Sequence, residues 1–410
     1  MRACLTILLL VAFITSFAKT IEVGGNRPVK SLKHAIELAK AGDSILLHKG
    51  IYKEGNILLT KSISLIGIGY PVLDGEGKHE ILTISGEKIK VKGISFRNAG
   101  YSSTKDYAAI KIVDAERVLI EDNRVTNSYF AIHFSNARFC NLRNNKIDGD
   151  NKTEHASGNG IHLWKCDNML VENNFIEGHR DGIYFEFVTH SIIQKNKSTR
   201  NIRYGLHFMF SNNDAYLENR FENNGAGVAV MFSQKVVMIK NHFDRNWGPS
   251  AYGILLKEIS DSQIYLNTFS QNTVGILMEG TNRIDVQYNQ FNSNGWATKV
   301  QASCADNTFS SNNFFANTFD VATNGNLMLN NFSGNYWDKY QGYDLNRNGA
   351  GDVPFFPVSM YSMVIEQNPV SVLLLRSFMV NLLDKAEKAI PSLTPETLSD
   401  DQPQMKPIRL

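Results

Sequence analysis

The amino-acid sequence predicts an all-β protein: a right-handed parallel β-helix of three-strand coils of about 22 residues, closed by an N-terminal capping helix and a C-terminal amphipathic helix. Three observations predict it. An Asn–any–apolar phrase returns as Asn123-Arg-Val125, Asn145-Lys-Ile147, Asn173-Asn-Phe175, Asn219-Arg-Phe221, Asn241-His-Phe243, Asn267-Thr-Phe269 and Asn289-Gln-Phe291, with a weakened copy at Asn196-Lys-Ser198; the steps are 22, 28, 23, 23, 22, 26 and 22 residues. A second phrase, a small residue followed by alternating apolar positions, begins at Gly160, Gly182, Gly205, Gly227, Gly253 and Gly275, with weaker copies at Ala109 and Ala131, each 13 or 14 residues before its Asn. The segments between are rich in Val, Ile and Phe and lack a leucine-rich or helical pattern.

Each element follows from the chain in order. Met1-Arg2 and the apolar run 3–17, ending in Ser16-Phe17-Ala18, read as a secretory signal peptide over 1–18, cut after Ala18. Residues 19–335 form the parallel β-helix with its N-terminal cap. In the cap, Ser31 starts an amphipathic helix that stops at Gly42, and the strand Ser44–His48 follows. Residues 336–368 are an Asx-rich loop and linker, and 369–410 a C-terminal amphipathic helix and Pro-rich tail.

The period carries a geometry. Stacked coils lie about 4.8 Å apart and alternate residues point inward, so Ile161 and Leu163 are core while His162 and Trp164 face out. An Asn at the same bend of every coil tolerates left-handed backbone and can pair with its neighbours along the axis. The long steps mark excursions at 148–157 and 246–251, where extra residues go outward as loops.

Composition excludes several classes. There are 42 basic and 40 acidic residues with no basic run or stripe, which argues against a nucleic-acid partner. Cleavage leaves Cys140, Cys166 and Cys304, an odd number in a chain long enough to bury a core, so a disulfide framework is not expected. Asp344, Asn346, Asn348 and Asp352 are spaced like calcium-loop ligands around Gly349, yet Phe355 stands where a bidentate Glu belongs; Ca2+ and a metal-free Asx-rich turn are both open. In 369–390, Leu374, Phe378, Leu382, Ala386 and Ile390 fall on one helical stripe. Its apolar part, Val370–Leu383, is too short to cross a bilayer and suits a membrane interface or a partner groove.

The chain resembles the periplasmic nitrous oxide reductase maturation protein family NosD. The residues carrying the resemblance are Gly334-Asn-Tyr-Trp, Tyr340-Gln-Gly-Tyr-Asp-Leu, Gly351-Asp-Val-Pro, Leu382-Leu-Asp-Lys-Ala-Glu and Ile390-Pro-Ser-Leu-Thr-Pro-Glu. The loop Asp344-Leu-Asn-Arg-Asn-Gly is less acidic than the family's version. The resemblance implies a periplasmic, non-enzymatic accessory protein that docks the subunits of an inner-membrane ABC transporter and assists assembly of the copper centres of nitrous oxide reductase. It further implies a copper chaperone and the reductase itself as partners, with peripheral membrane contact through the C-terminal helix.

The outward positions of the Gly-led strands are where chemistry is expected. His133, His162, Tyr184 and His207 occupy one phase on four successive coils; Ser135, Trp164, Glu186, Met209 and Met231 occupy the next outward phase. Imidazole and thioether together suit Cu(I), so His133, His162, His207, Met209 and Met231 are candidate copper ligands, with His155 and His179 on nearby bends as weaker additions. The same stripe equally suits protein docking, through Trp164 and Tyr184, joined by Leu374, Phe378 and Leu382 of the terminal helix. A carbohydrate-binding or sugar-modifying β-helix is the alternative function. Sugar catalysis requires paired carboxylates at fixed separation. Glu186 and Glu279 stand alone in the sequence, and His179-Arg180-Asp181 is the one compact polar trio.

Overall fold

The computed structural model describes residues 18–102, 106–150, 153–154, 157–325, 329–375, 377–389 and 398–410. The expected signal peptide, apart from Ala18, lies outside the described residues, as do His155 and Ile390.

Among the described residues the chain winds into three parallel sheets of a right-handed β-helix. Sheet I has 14 strands from Thr20–Val23 to Leu329–Ser333; sheet II has 13, from Ile51–Tyr52 to Tyr336–Trp337; sheet III has 12, from Ile57–Leu59 to Phe319–Ala322. Each coil contributes one strand to III, then I, then II, and pairs in parallel with the coils on either side. The interior is apolar and stacked. Phe221, Phe243, Phe269, Phe291, Phe314 and Trp337 lie face to face along sheet II, with successive ring centroids 5.6, 4.8, 4.9, 4.8 and 4.0 Å apart. Stacking at the coil spacing lets one large residue per turn fill the core without voids.

The recurrent Asn is a buried ladder between sheets I and II. Oδ1 of Asn145 accepts from the backbone N–H and the Nδ2 of Asn123, and the same double bond repeats from Asn145 to Asn174 and onward through Asn196 and Asn219 to Asn335. Two details differ from the sequence reading. The rung in the third coil is Asn174, not Asn173. The left-handed residue is the one before each rung, as with Asp122, Asn144, Asn173 and Lys195, leaving the rung free to aim its amide along the axis. A second ladder, Asn201, Asn224, Asn246, Asn272, Asn294 and Asn317, turns the corner between sheets II and III. Both ladders satisfy backbone donors that a tight buried bend would otherwise orphan.

The ends are covered. Helix α1 (Leu32–Leu38) is capped by Ser31, whose Oγ accepts from His34 N; its C-cap is Ala39, three residues before Gly42. Strand Ser44–His48 follows, as expected. At the other end the apolar segment is not one helix. Helix α2 (Met360–Gln367) precedes it, Pro369–Leu374 is a 3-10 turn, and helix α3 (Phe378–Ala389) starts afresh with the Ser377 hydroxyl accepting from Val380 N at 3.3 Å. A new helix start at Ser377 separates Leu374 from Phe378. Residues 398–410, expected to trail as a Pro-rich extension, instead bridge to 332, 336, 350 and 355. Among the described residues Cys140, Cys166 and Cys304 are free and buried.

Candidate functional site

Sheet III presents the Gly-led strands, and its outer face carries one unbroken register: Lys111, His133, His162, Tyr184, His207, Ala229, Leu255, Leu277 and Lys299. Beside it runs Ser135, Trp164, Glu186, Met209, Met231, Lys257 and Glu279. The glycine that opens most of these strands is required by packing; a Cβ on Gly182 would lie 2.0 Å from Ser198 Oγ.

The face is an aromatic lane. The His133 and His162 rings stack at 4.6 Å; His162 meets Tyr184 edge-on at 4.8 Å, and Tyr184 meets His207 at 5.1 Å. Phe130 and Tyr204 flank the row, 5.4 Å from His162 and 4.9 Å from His207. This cover leaves His133 and His207 only 5% and 6% exposed, although both point away from the core. Burial pushes His133 down to about 4 and His162 down to about 3, so both rings are neutral at neutral pH. His133 Nδ1, His162 Nδ1 and His207 Nε2 are buried without a hydrogen-bond partner.

The predicted copper residues are brought together in pairs rather than as one cluster. His133 and His162 are neighbours, and so are Met209 and Met231 on adjacent coils. Tyr184 stands between His162 and His207. Among the described residues no three His, Cys, Asp or Glu side chains converge as a metal cluster. The donors left open are neutral imidazole nitrogens and thioethers, a set suited to a soft ion at low coordination number.

The trio His179-Arg180-Asp181 separates in space. Asp181 binds Arg203 from the next coil, with Nε donating to Oδ1 at 2.8 Å, and faces His207 Nδ1 at 3.6 Å. Burial raises the Asp181 carboxyl, but hydrogen bonds from Arg203 and then His207 outweigh it and hold it below the usual range. His179 turns instead into a corner pocket. The calcium expectation finds no support: Asp344 accepts from the backbone N–H groups of Asn348 and Gly349, Asn348 Oδ1 from Ala350 N, and Asp352 from Leu345 N and Asn346 Nδ2. The oxygens close an Asx-rich turn with its own amides.

The docking residues divide likewise. Trp164 and Tyr184 are half-buried in the lane, with Lys165 Nζ 4.4 Å above the Trp164 ring. Leu374, Phe378 and Leu382 are exposed at the other end of the same sheet. There Tyr361 and Ile365 of α2 pack on Phe319, and Lys299 pairs with Glu366. Lane and helical unit therefore share one face. Sequence reasoning missed the exposed ladder of Phe187, Phe210 and Phe232, stacked at 5.3 and 5.1 Å, each with φ between 50° and 55°. A large side chain in left-handed backbone is uncommon. Its signal was present, since each Phe directly follows Glu186, Met209 or Met231.

Fold and lane together define a parallel β-helix scaffold with a soft-donor, aromatic outer face. Residues 143–342 match the family model NosD, described as a periplasmic copper-binding protein, which bears out the resemblance to that family read from the sequence. Two proteins named "Probable ABC transporter binding protein NosD" are similar: that of Pseudomonas aeruginosa is 30% identical over 130 residues, 31% of this chain, and that of Stutzerimonas stutzeri 31% identical over 113 residues, 27% of this chain. The matched stretch spans 30% and 26% of those relatives' lengths. In fold the chain is similar to the mannuronan C-5 epimerase AlgE6 A-module of Azotobacter vinelandii (TM-score 0.57, 13% identity, 75% of this chain and 93% of that one). It is also similar to the Dettilon tailspike protein (TM-score 0.54, 13% identity, 69% and 63%). Among the described residues no helix is long and apolar enough to cross a membrane.

Proposed function

We propose that this chain is a periplasmic accessory protein that docks an inner-membrane ABC transporter and assists assembly of the copper centres of nitrous oxide reductase, working with a copper chaperone and the reductase as partners. The observation that supports this reading is the shared face of sheet III. The row from His133 to His207 runs through Ala229, Leu255 and Leu277 to Lys299, beside Trp296 and Phe319, where the helical unit begins with its apolar side uncovered. One end offers soft donors for copper as cargo, and the other offers Leu373, Leu374, Phe378, Met379 and Leu382 to an apolar partner or membrane interface. Catalysis is no part of this reading.

The test is co-purification of the full chain with the transporter subunits. The triple change Leu374→Asp, Phe378→Asp, Leu382→Asp should abolish it while leaving the far-ultraviolet spectrum and unfolding midpoint unchanged; undiminished co-purification overturns the docking role. Point changes are needed because truncation from residue 369 would also remove Asp400, which closes the main asparagine ladder.

A further inference from the structure

The corner between sheets III and I carries a row of residues in left-handed backbone, one per coil: Asp114, Asn136, Lys165, Phe187, Phe210, Phe232, Glu258 and Gly280, with φ between 49° and 58°. Asp, Asn and Gly suit that backbone; phenylalanine does not. The three rings stack at 5.3 and 5.1 Å, lie outside the core cluster and stay 44%, 39% and 42% exposed. Folding gives no reason for a phenyl ring at these positions, so the reason lies outside the chain.

The charges along the row indicate what covers it. Lys165 stands two coils before Phe210 and Glu258 two coils after; both are exposed, and among the described residues neither has an ion-pair partner. The row is therefore apolar at its centre and opposite in charge at its two ends. A twofold axis at Phe210, perpendicular to the rod, sets a second copy antiparallel to the first. Lys165 of each copy then faces Glu258 of the other, Phe187 faces Phe232, and Phe210 faces itself. That reciprocity is what an isologous contact requires. A parallel pair would oppose like charges instead. The adjoining outward row of sheet I obeys the same axis. Ile192, Ala215 and Val237 are successive there, with Ala215 on the coil of Phe210. Ile192, 42% exposed, faces Val237, and Ala215 faces itself, a small side chain that lets two sheets approach.

We propose that this edge is a homodimer interface, with two copies packed antiparallel about Phe210. It is independent of the copper and transporter readings. Sedimentation equilibrium of the mature chain should show a monomer–dimer equilibrium with a dissociation constant on the order of 10 µM. Phe210→Asp introduces a residue that left-handed backbone accepts, so the unfolding midpoint should hold. Because position 210 meets its own copy, the dissociation constant should rise at least twentyfold. Lys165→Glu should raise it about fivefold by setting like charges opposite each other twice per dimer, and adding Glu258→Lys should restore it. Phe315→Ala, on the outer face of sheet II, should leave it unchanged. A chain that stays monomeric at about 200 µM, a dimer indifferent to Phe210→Asp, or a double charge exchange that fails to restore affinity would each overturn the proposal, and the first would leave the ridge to a different protein.

Discussion

Asp400 stands where the next rung after Asn335 would be: its Oδ2 accepts the Asn335 backbone N–H at 2.9 Å and the Asn335 Nδ2 at 3.1 Å. The same oxygen accepts from Trp337 Nε1 at 3.0 Å, and Oδ1 accepts from Gly334 N at 2.9 Å. A carboxylate brought back by the C-terminal segment thus terminates an asparagine ladder that begins more than 200 residues earlier. A solenoid end must satisfy its last row of donors or offer them to another chain.

Asp400→Ala is expected to take the acceptor from five N–H groups, the four above and that of Gln402, at a fully buried position and to cost about 3 kcal/mol. Asp400→Asn keeps an accepting oxygen and should cost about half as much. Urea unfolding gives the cost, and amide exchange gives its location: protection should fall over residues 309–337 and stay unchanged before residue 200. Uniform loss along the rod would refute a terminal cap.

The lesson about legibility lies in the same residues. The Asn period and the Gly phrase are local chemistry repeated at fixed spacing, so coil, sidedness and register could be read from them. The second ladder was legible too, because Asn201, Asn224 and Asn246 each follow a main rung by five residues. Asp400 was not: nothing in Ser399-Asp400-Asp401 encodes a partner 65 residues away. The lane was read correctly as outward-facing, but the burial of His133 and His207 depends on Phe130, Tyr184 and Tyr204 leaning over them. The sequence trio at His179 misled because side chains in a solenoid meet across coils, as Asp181 and Arg203 do.

Stability should depend on pH through two opposed sets of buried groups. Asp214 is 1% exposed and burial pushes its carboxyl from 3.8 to about 8. The folded state then holds a proton that the unfolded chain releases, so this contribution is intact below pH 4 and is lost as pH rises to about 8, on the order of 5 kcal/mol at most. His133, His162 and His179, depressed by burial to about 4, 3 and 4, act in reverse: their contribution is intact above pH 6.5 and is lost as pH falls through those values. Asp214→Asn should therefore raise the urea midpoint more at pH 8 than at pH 5, because Ser191 N can still donate to its amide oxygen. An equal effect at both values would show that Asp214 is ionised in the fold.

Copper affinity offers a test of the lane that uses the same titrations. An exposed histidine site loses affinity once protons compete near pH 6.5. The His133 and His162 rings stay neutral well below that, and the thioethers of Met209 and Met231 take no proton at all. Cu(I) affinity measured by competition with a chromophoric chelator should accordingly be level from pH 8 to pH 5 and fall only below about pH 4. The double change His133→Ala, His162→Ala should reduce it at least tenfold, and Met209→Leu, Met231→Leu should do so independently, since the two pairs lie on different rows of sheet III. His207→Ala should have a smaller effect, because Nδ1 already faces Asp181 and Arg203 and only Nε2 is open. Affinity that declines steeply between pH 7 and 6, or that survives both double changes, would place the copper elsewhere and leave the lane as a docking surface alone.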